Sequence, residues 1–158
     1  MRRAQERQFT THDGSSLFYR HWPPLQAGGE ARALLLLHRG HEHSGRLQHV
    51  VDELGLDGFA MFAWDARGHG RSPGVRGDSP GFAALVRDLE AFVTHVGDAY
   101  GIAPQDIALI GQSVGAVIAA TWVHDYAPRL RCLVLTAPAF QVRLYVPLAR
   151  PGLALMRR

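Results

Sequence analysis

Short apolar runs alternate along this chain with stretches in which apolar residues recur every three or four positions. Residues 33–37 read Ala-Leu-Leu-Leu-Leu, 59–64 Phe-Ala-Met-Phe-Ala-Trp, 106–110 Asp-Ile-Ala-Leu-Ile and 131–135 Arg-Cys-Leu-Val-Leu. Each is short for a helix and continuous enough to be buried on both faces, as a strand inside a parallel sheet is. Between them Leu47, Val50, Val51 and Leu54 fall on one helical face, with Ser44 placed to cap that helix and Gly55 to end it. Phe82, Leu85, Val86, Leu89, Phe92, Val93 and Val96 form a second stripe, opened by Ser79-Pro80 and expected in the core. A third helix is expected over 114–124. The first piece differs: residues 9–11 and 17–20 flank His12-Asp13-Gly14-Ser15, whose Asp-Gly pair predicts a hairpin. Pro23-Pro24 and Gly28-Gly29 then mark a loop. The alternation predicts the α/β class, a largely parallel sheet covered by helices on both faces.

Composition bounds this picture without changing it. A chain of 158 residues, 47% hydrophobic and 20% charged, has the size of one domain able to bury a core. Its formal charge is +3 and all 17 basic residues are arginines, but no basic stripe alternates with exposed aromatics, so no nucleic-acid partner is expected. One cysteine, Cys132, excludes an intramolecular disulfide; in its apolar run it is expected to be a buried structural thiol in reducing surroundings. No apolar stretch follows Met1-Arg2-Arg3, and no run reaches membrane-spanning length, so a cytoplasmic location is expected.

The chemistry begins at Gly111-Gln112-Ser113-Val114-Gly115, a G-x-S-x-G sequence lying directly after one expected strand and before an apolar helix. The pentapeptide alone reads equally well as a chance Gly/Ser turn. Its strand-to-helix context points instead to a nucleophile elbow, in which the flanking glycines let backbone and helix approach closely. The helix N-terminus would favour the negative charge that develops during attack.

Two further runs carry a resemblance. His38-Arg39-Gly40-His41-Glu42-His43-Ser44-Gly45-Arg46 is similar to the H-G-x-G-E-H-S-x-R pattern of the monoacylglycerol lipase and lysophospholipase (serine aminopeptidase S33-type) family of α/β-hydrolases. Asp65-Ala66-Arg67-Gly68-His69-Gly70-Arg71-Ser72 resembles that family's D-x-R-G-H-G-x-S turn. With the elbow, the three motifs stand in the family's order and cover about residues 9–140. More narrowly, Phe18-Tyr19-Arg20-His21-Trp22 and the stretches 38–46 and 62–74 resemble the hydrolase portion of bacterial proteins in which such a domain precedes a class I S-adenosylmethionine-dependent methyltransferase. None of the methyltransferase portion is present.

The resemblance implies an α/β-hydrolase three-layer sandwich containing about the first six strands of the family's sheet, without its later strands and most of its cap. Residues 9–137 would form the core of this partial domain (1–158), and 138–158 the start of a cap or lid. It implies an acyl-enzyme mechanism on a monoacylglycerol-like or lysophospholipid-like ester through Ser113, with the backbone N–H groups of Gly40 and Val114 as the oxyanion hole. Gly111 and Gly115 would shape the elbow, and His38 and Arg39 would support the oxyanion loop. Arg39 stands where the family usually has glycine. It keeps a backbone donor nearby, and its side chain reads either as a solvated arginine or as a group favouring an anionic head group. His41, Glu42 and His43 read as loop formers and not as metal ligands; no metal and no cofactor is expected. Glu42 and Arg46 are spaced to pair, and Asp65 and His69 read as structural.

The family's triad follows the order Ser, Asp or Glu, His. After Ser113 the sequence offers only His124 and Asp125, near the end of the helix that the elbow opens and roughly 16 Å away by helical rise. They are not expected to be its partners, so the triad acid and base are expected to be absent from the chain. His38 as an upstream base is a weaker alternative. The sequence thus supports hydrolase ancestry more strongly than activity of these residues. The rival from another class is a non-catalytic chain, either a truncated or fragmentary, inactive form or a binding or dimerising module associating through an exposed sheet edge. An S-adenosylmethionine-binding role lacks the Gly-rich loop it would need after the first parallel strand. Expected partners are a small or lipid-like ester and, through the apolar stretch 144–156, a membrane surface.

Overall fold

In a computed structural model, residues 1–26 and 31–141 are described. They build one six-stranded mixed sheet, in the order β1-β2-β4-β3-β5-β6. Strands β1 (Gln5–Thr10) and β2 (Ser16–Trp22) form the expected antiparallel hairpin, with Thr10 opposite Ser16. β2 runs antiparallel to β4 (Ala60–Trp64), pairing Tyr19 with Trp64. The remaining pairs are parallel: β3 (Ala33–Leu37) lies between β4 and β5 (Ile107–Gln112), and β6 (Cys132–Thr136) flanks β5.

The continuous apolar runs have the cause expected of them, since β3 and β4 are buried at every position. Alternate residues serve opposite faces. Leu35, Phe62 and Leu109 are completely buried beneath α2 (Phe82–Tyr100) and α3 (Val114–Tyr126). Leu34, Leu36 and Met61 pack on the other face against Leu47 and Val51, in the 3-10 turn Ser44–Leu47 and the short helix α1 (Gln48–Glu53). Each such side chain contributes about 1.5–3 kcal/mol of transfer free energy. Helices therefore cover both faces, giving the expected three layers.

Arg2 is buried against this core. It is 7% exposed, and its guanidinium donates to the carbonyls of Trp22 (3.1 Å) and Phe59 (2.7 Å), while its backbone N–H donates to Asp52 (2.8 Å).

Four local expectations are corrected. Cys132 is exposed and not buried: β6 is an outer strand, and strand alternation sets Leu133 and Leu135 against the α3 side while Cys132 and Val134 face the other way. Phe82 is 41% exposed, because α2 starts there, behind Gly81 at φ 144°, and Ser79-Pro80 lies outside the helix. Ser44 does not cap α1, whose N-cap is Leu47 without a side-chain bond; Ser44 is instead the buried first residue of the 3-10 turn, which His43 caps, its Nδ1 accepting the Gly45 N–H at 3.2 Å. Leu54, at the end of the first helical stripe, is 40% exposed. The Gly28-Gly29 loop, the apolar stretch 144–156 and most of the expected cap segment lie outside the described residues.

Candidate active site

β5 ends where α3 begins, and the turn between them is made by one residue. Ser113 has φ 54° and ψ −115°, a conformation that a side chain bearing a Cβ rarely adopts. It is held by its surroundings: its N–H donates to the Thr136 carbonyl at 2.9 Å, and its own carbonyl accepts from Ala116 and Val117 in the first turn of α3. The two glycines of the motif have a steric cause. A Cβ on Gly111 would stand 2.6 Å from the Gly115 carbonyl oxygen, and one on Gly115 would stand 2.7 Å from that of His38 and 2.8 Å from that of Leu37. Sheet, elbow and helix meet too closely for any side chain there.

The loop after β3 passes alongside. A Cβ on Gly40 would lie 3.9 Å from Val114 Cγ1, so Gly40 and the first residue of α3 are neighbours across the elbow. As that first residue, Val114 has no helical carbonyl to receive its N–H. His41 has φ 59°, an uncommon left-handed conformation for a residue with a side chain; nothing in its sequence context announced this. Glu42 accepts an ion pair from Arg39 Nη2 at 2.9 Å and lies 4.0 Å from Arg46 Nε, so the expected i,i+4 pairing is present and Arg39 shares it. Residues 39 to 43, Arg46 and Ser113 together line an open cleft of about 510 Å³.

His38 is buried, and both ring nitrogens are engaged. Nδ1 lies 2.7 Å from the Arg39 carbonyl and Nε2 3.0 Å from the Ala66 N–H. With Nδ1 donating and Nε2 accepting, the neutral ring satisfies both partners, and burial holds its pKa below the ordinary histidine value. This leaves His38 no lone pair for Ser113 and removes it as a base. Among the described residues, no group of three or more His, Cys, Asp or Glu side chains is placed to hold a metal ion.

A second turn supports the first. Asp65, fully buried, accepts the N–H groups of Ser44 at 2.6 Å and Arg71 at 2.8 Å, locking the loop after β3 to the turn after β4. Ser72 Oγ donates to the Asp65 carbonyl and accepts the Phe18 N–H at 2.9 Å. Arg67 carries the other half of the turn, its Nη2 donating to Asp88 Oδ1 at 2.7 Å and its Nη1 pairing with Asp13 at 2.8 Å. Asp88 was not foreseen as a partner. Its signal was a carboxylate between the core positions Val86 and Leu89 of an amphipathic helix. His124 and Asp125 hydrogen-bond one another at 2.9 Å in the last turn of α3, at the opposite end from Ser113.

Comparison with known proteins agrees with this geometry. A family model described as serine aminopeptidase, S33, matches residues 29–158. The YnbC protein of Escherichia coli strain K12 is 58% identical over 153 residues, covering 97% of this chain and 26% of its own. The monoglyceride lipase of Homo sapiens is 35% identical, with 80% and 40% covered, and the monoacylglycerol lipase of Mycolicibacterium smegmatis is 32% identical, with 85% and 46% covered. The chain thus spans less than half the length of these relatives. Among solved structures, that of DcsB in complex with its substrate analogue superposes with a TM-score of 0.78 at 21% identity, over 98% of this chain and 52% of that one, a likeness of fold. Elbow, neighbouring loop, three-layer sheet and family match converge: the chain belongs to the serine aminopeptidase S33 family of α/β-hydrolases, the family of the monoacylglycerol lipases.

Proposed function

We propose that Ser113 is the nucleophile of a serine hydrolase acting on carboxylic esters with lipid-like acyl chains. The observation that carries this reading is the backbone of Ser113, held at φ 54° and ψ −115° at the N-terminus of α3. Strain of this kind persists only where the surrounding structure enforces it, and here it presents a hydroxyl at the end of a helix and the floor of a cleft. The lipase relatives favour an acylglycerol-like substrate.

In this reading the Ser113 oxygen attacks the ester carbonyl carbon and its proton passes to a general base. The carbonyl π electrons move to oxygen, and the resulting oxyanion accepts hydrogen bonds from the N–H groups of Gly40 and Val114. Collapse expels the alcohol, which takes the proton from the base, and leaves an acyl-serine. Water then attacks the acyl-serine through the same base and releases the fatty acid, regenerating the serine. The base is not His38, whose nitrogens are engaged, nor His124, paired with Asp125 at the far end of α3. The reading therefore requires a base other than these two histidines.

The test is hydrolysis of a short p-nitrophenyl ester and labelling by a fluorophosphonate, run beside Ser113→Ala. Turnover and labelling that disappear in the folded variant support the assignment. Equal behaviour of both proteins overturns it and leaves a non-catalytic module.

A further inference from the structure

We infer that Arg20, on β2, is a positioning residue of the site: through Ser44 it holds the loop after β3 in the form that aims the Gly40 N–H into the cleft. The inference rests on the serine-hydrolase reading and deepens it by naming what fixes one of the two oxyanion donors.

The loop is anchored at both ends. At one end His38 accepts the Ala66 N–H. At the other Ser44 is fully buried and held twice: its N–H donates to Asp65 at 2.6 Å, and its Oγ accepts from Arg20 Nη1 at 2.6 Å. Gly45 makes room for this guanidinium, since a Cβ there would stand 3.3 Å from Arg20 Nη1. Arg20 is itself fixed. Its side chain is 18% exposed, its Cζ lies 5.0 Å from the centre of the Phe18 ring, and its Nη2 is 3.4 Å from Glu6, directly opposite it in the β1–β2 ladder. A charged donor on a buried hydroxyl makes a stronger bond than a neutral one.

Between the anchors the backbone is strained. His41 stands at φ 59°, where a residue with a Cβ stays only while its surroundings enforce it. His41 is exposed, so the enforcement comes from the pinned ends and from the Arg39–Glu42 ion pair between them, not from burial of its ring. Without Arg20, Ser44 keeps only its N–H bond, and His41 is free to turn to negative φ. Gly40 precedes it in the chain and turns with it.

Two readouts test this: the rate at which a fluorophosphonate labels Ser113, and the NMR resonances of the Gly40 and His41 amides. In Arg20→Met the rate should fall about tenfold or more, as loss of an oxyanion donor requires, and both amides should shift. Arg20→Lys, which keeps a cationic donor, should change both readouts less. Ser44→Ala removes the acceptor and should act as Arg20→Met does, taking its place if that variant does not fold. Adding His41→Gly to Arg20→Met should restore the rate severalfold, because glycine occupies positive φ without strain. A merely structural arginine would lower the melting temperature without moving these amides. Unshifted Gly40 and His41 amides in Arg20→Met, or a lost rate that His41→Gly does not restore, overturns the proposal. A parent protein that is not labelled overturns the serine-hydrolase reading instead, and the amide shifts then decide the role of Arg20 by themselves.

Discussion

The Nε2 atom of His38 accepts the backbone N–H of Ala66 at 3.0 Å, joining the loop that follows β3 to the turn that follows β4. The Nδ1 side of the ring serves the carbonyl of Arg39, so one imidazole satisfies two buried backbone groups of the site. His38→Phe keeps the ring and strands both groups. We expect a loss of about 2 kcal/mol in urea unfolding, and reduced labelling of Ser113 through displacement of the Gly40 loop.

Gly115→Ala should be worse than its size suggests. The added methyl would meet the carbonyl oxygens of His38 and Leu37 within 2.8 Å, and backbone yields less readily than side chains. The expected cost is about 2 kcal/mol or more by thermal unfolding, together with loss of fluorophosphonate labelling. Val117→Ala, two residues further along α3, should leave labelling intact.

Arg67 and Asp88 are buried, with side-chain exposures of 8% and 0%. Asp88→Ala leaves the guanidinium with the Asp13 carboxylate and the hydroxyls of Thr11 and Ser15, and is expected to cost about 3 kcal/mol in denaturant unfolding. Replacing both partners, as Arg67→Met with Asp88→Leu, should recover part of that loss. A double variant as unstable as the sum of the singles would show that the pair is not coupled.

His21 sets a pH window. It is 7% exposed, stacked on Phe62 with centroids 4.6 Å apart, and neither ring nitrogen has a hydrogen-bond partner among the described residues; burial lowers its pKa to about 4. The folded protein therefore keeps it neutral while the unfolded chain takes up a proton below about pH 6.5. Its contribution to stability is complete above that value and is lost as pH falls toward 4. His21→Phe should flatten the unfolding free energy between pH 6.5 and 4 by up to about 3 kcal/mol. An unchanged slope would assign the pH dependence to His38 and His95, whose pKa values burial also lowers.

Much of this was legible in the residues. Continuous apolar runs announced β3, β4 and β5 because two-sided burial leaves no room for alternation, and the G-x-S-x-G spacing announced the elbow because only glycine fits where β5, α3 and the β3 loop meet. The same logic misled at Cys132, whose run looks central although β6 is packed on one side only. Side-chain roles in the loops were less legible. Ser44 is not the cap because its Oγ accepts from Arg20 Nη1 at 2.6 Å and its N–H is held by Asp65, residues 24 and 21 positions away that local sequence does not reveal. The left-handed backbone at His41 and the pairing of Arg67 with Asp88 are likewise set by tertiary contacts.

The hydrogen bond from the Ser113 N–H to the Thr136 carbonyl bears on how the protein is made. The bend at Ser113 depends on β6, which lies more than twenty residues downstream, and on β3, about seventy-five residues upstream. During synthesis from the N-terminus, the serine leaves the ribosome before the strand that pins it has emerged. Until residue 136 emerges and pairs, that serine is an ordinary residue on a relaxed chain, and the nascent polypeptide carries no strained hydroxyl into a cell full of esters.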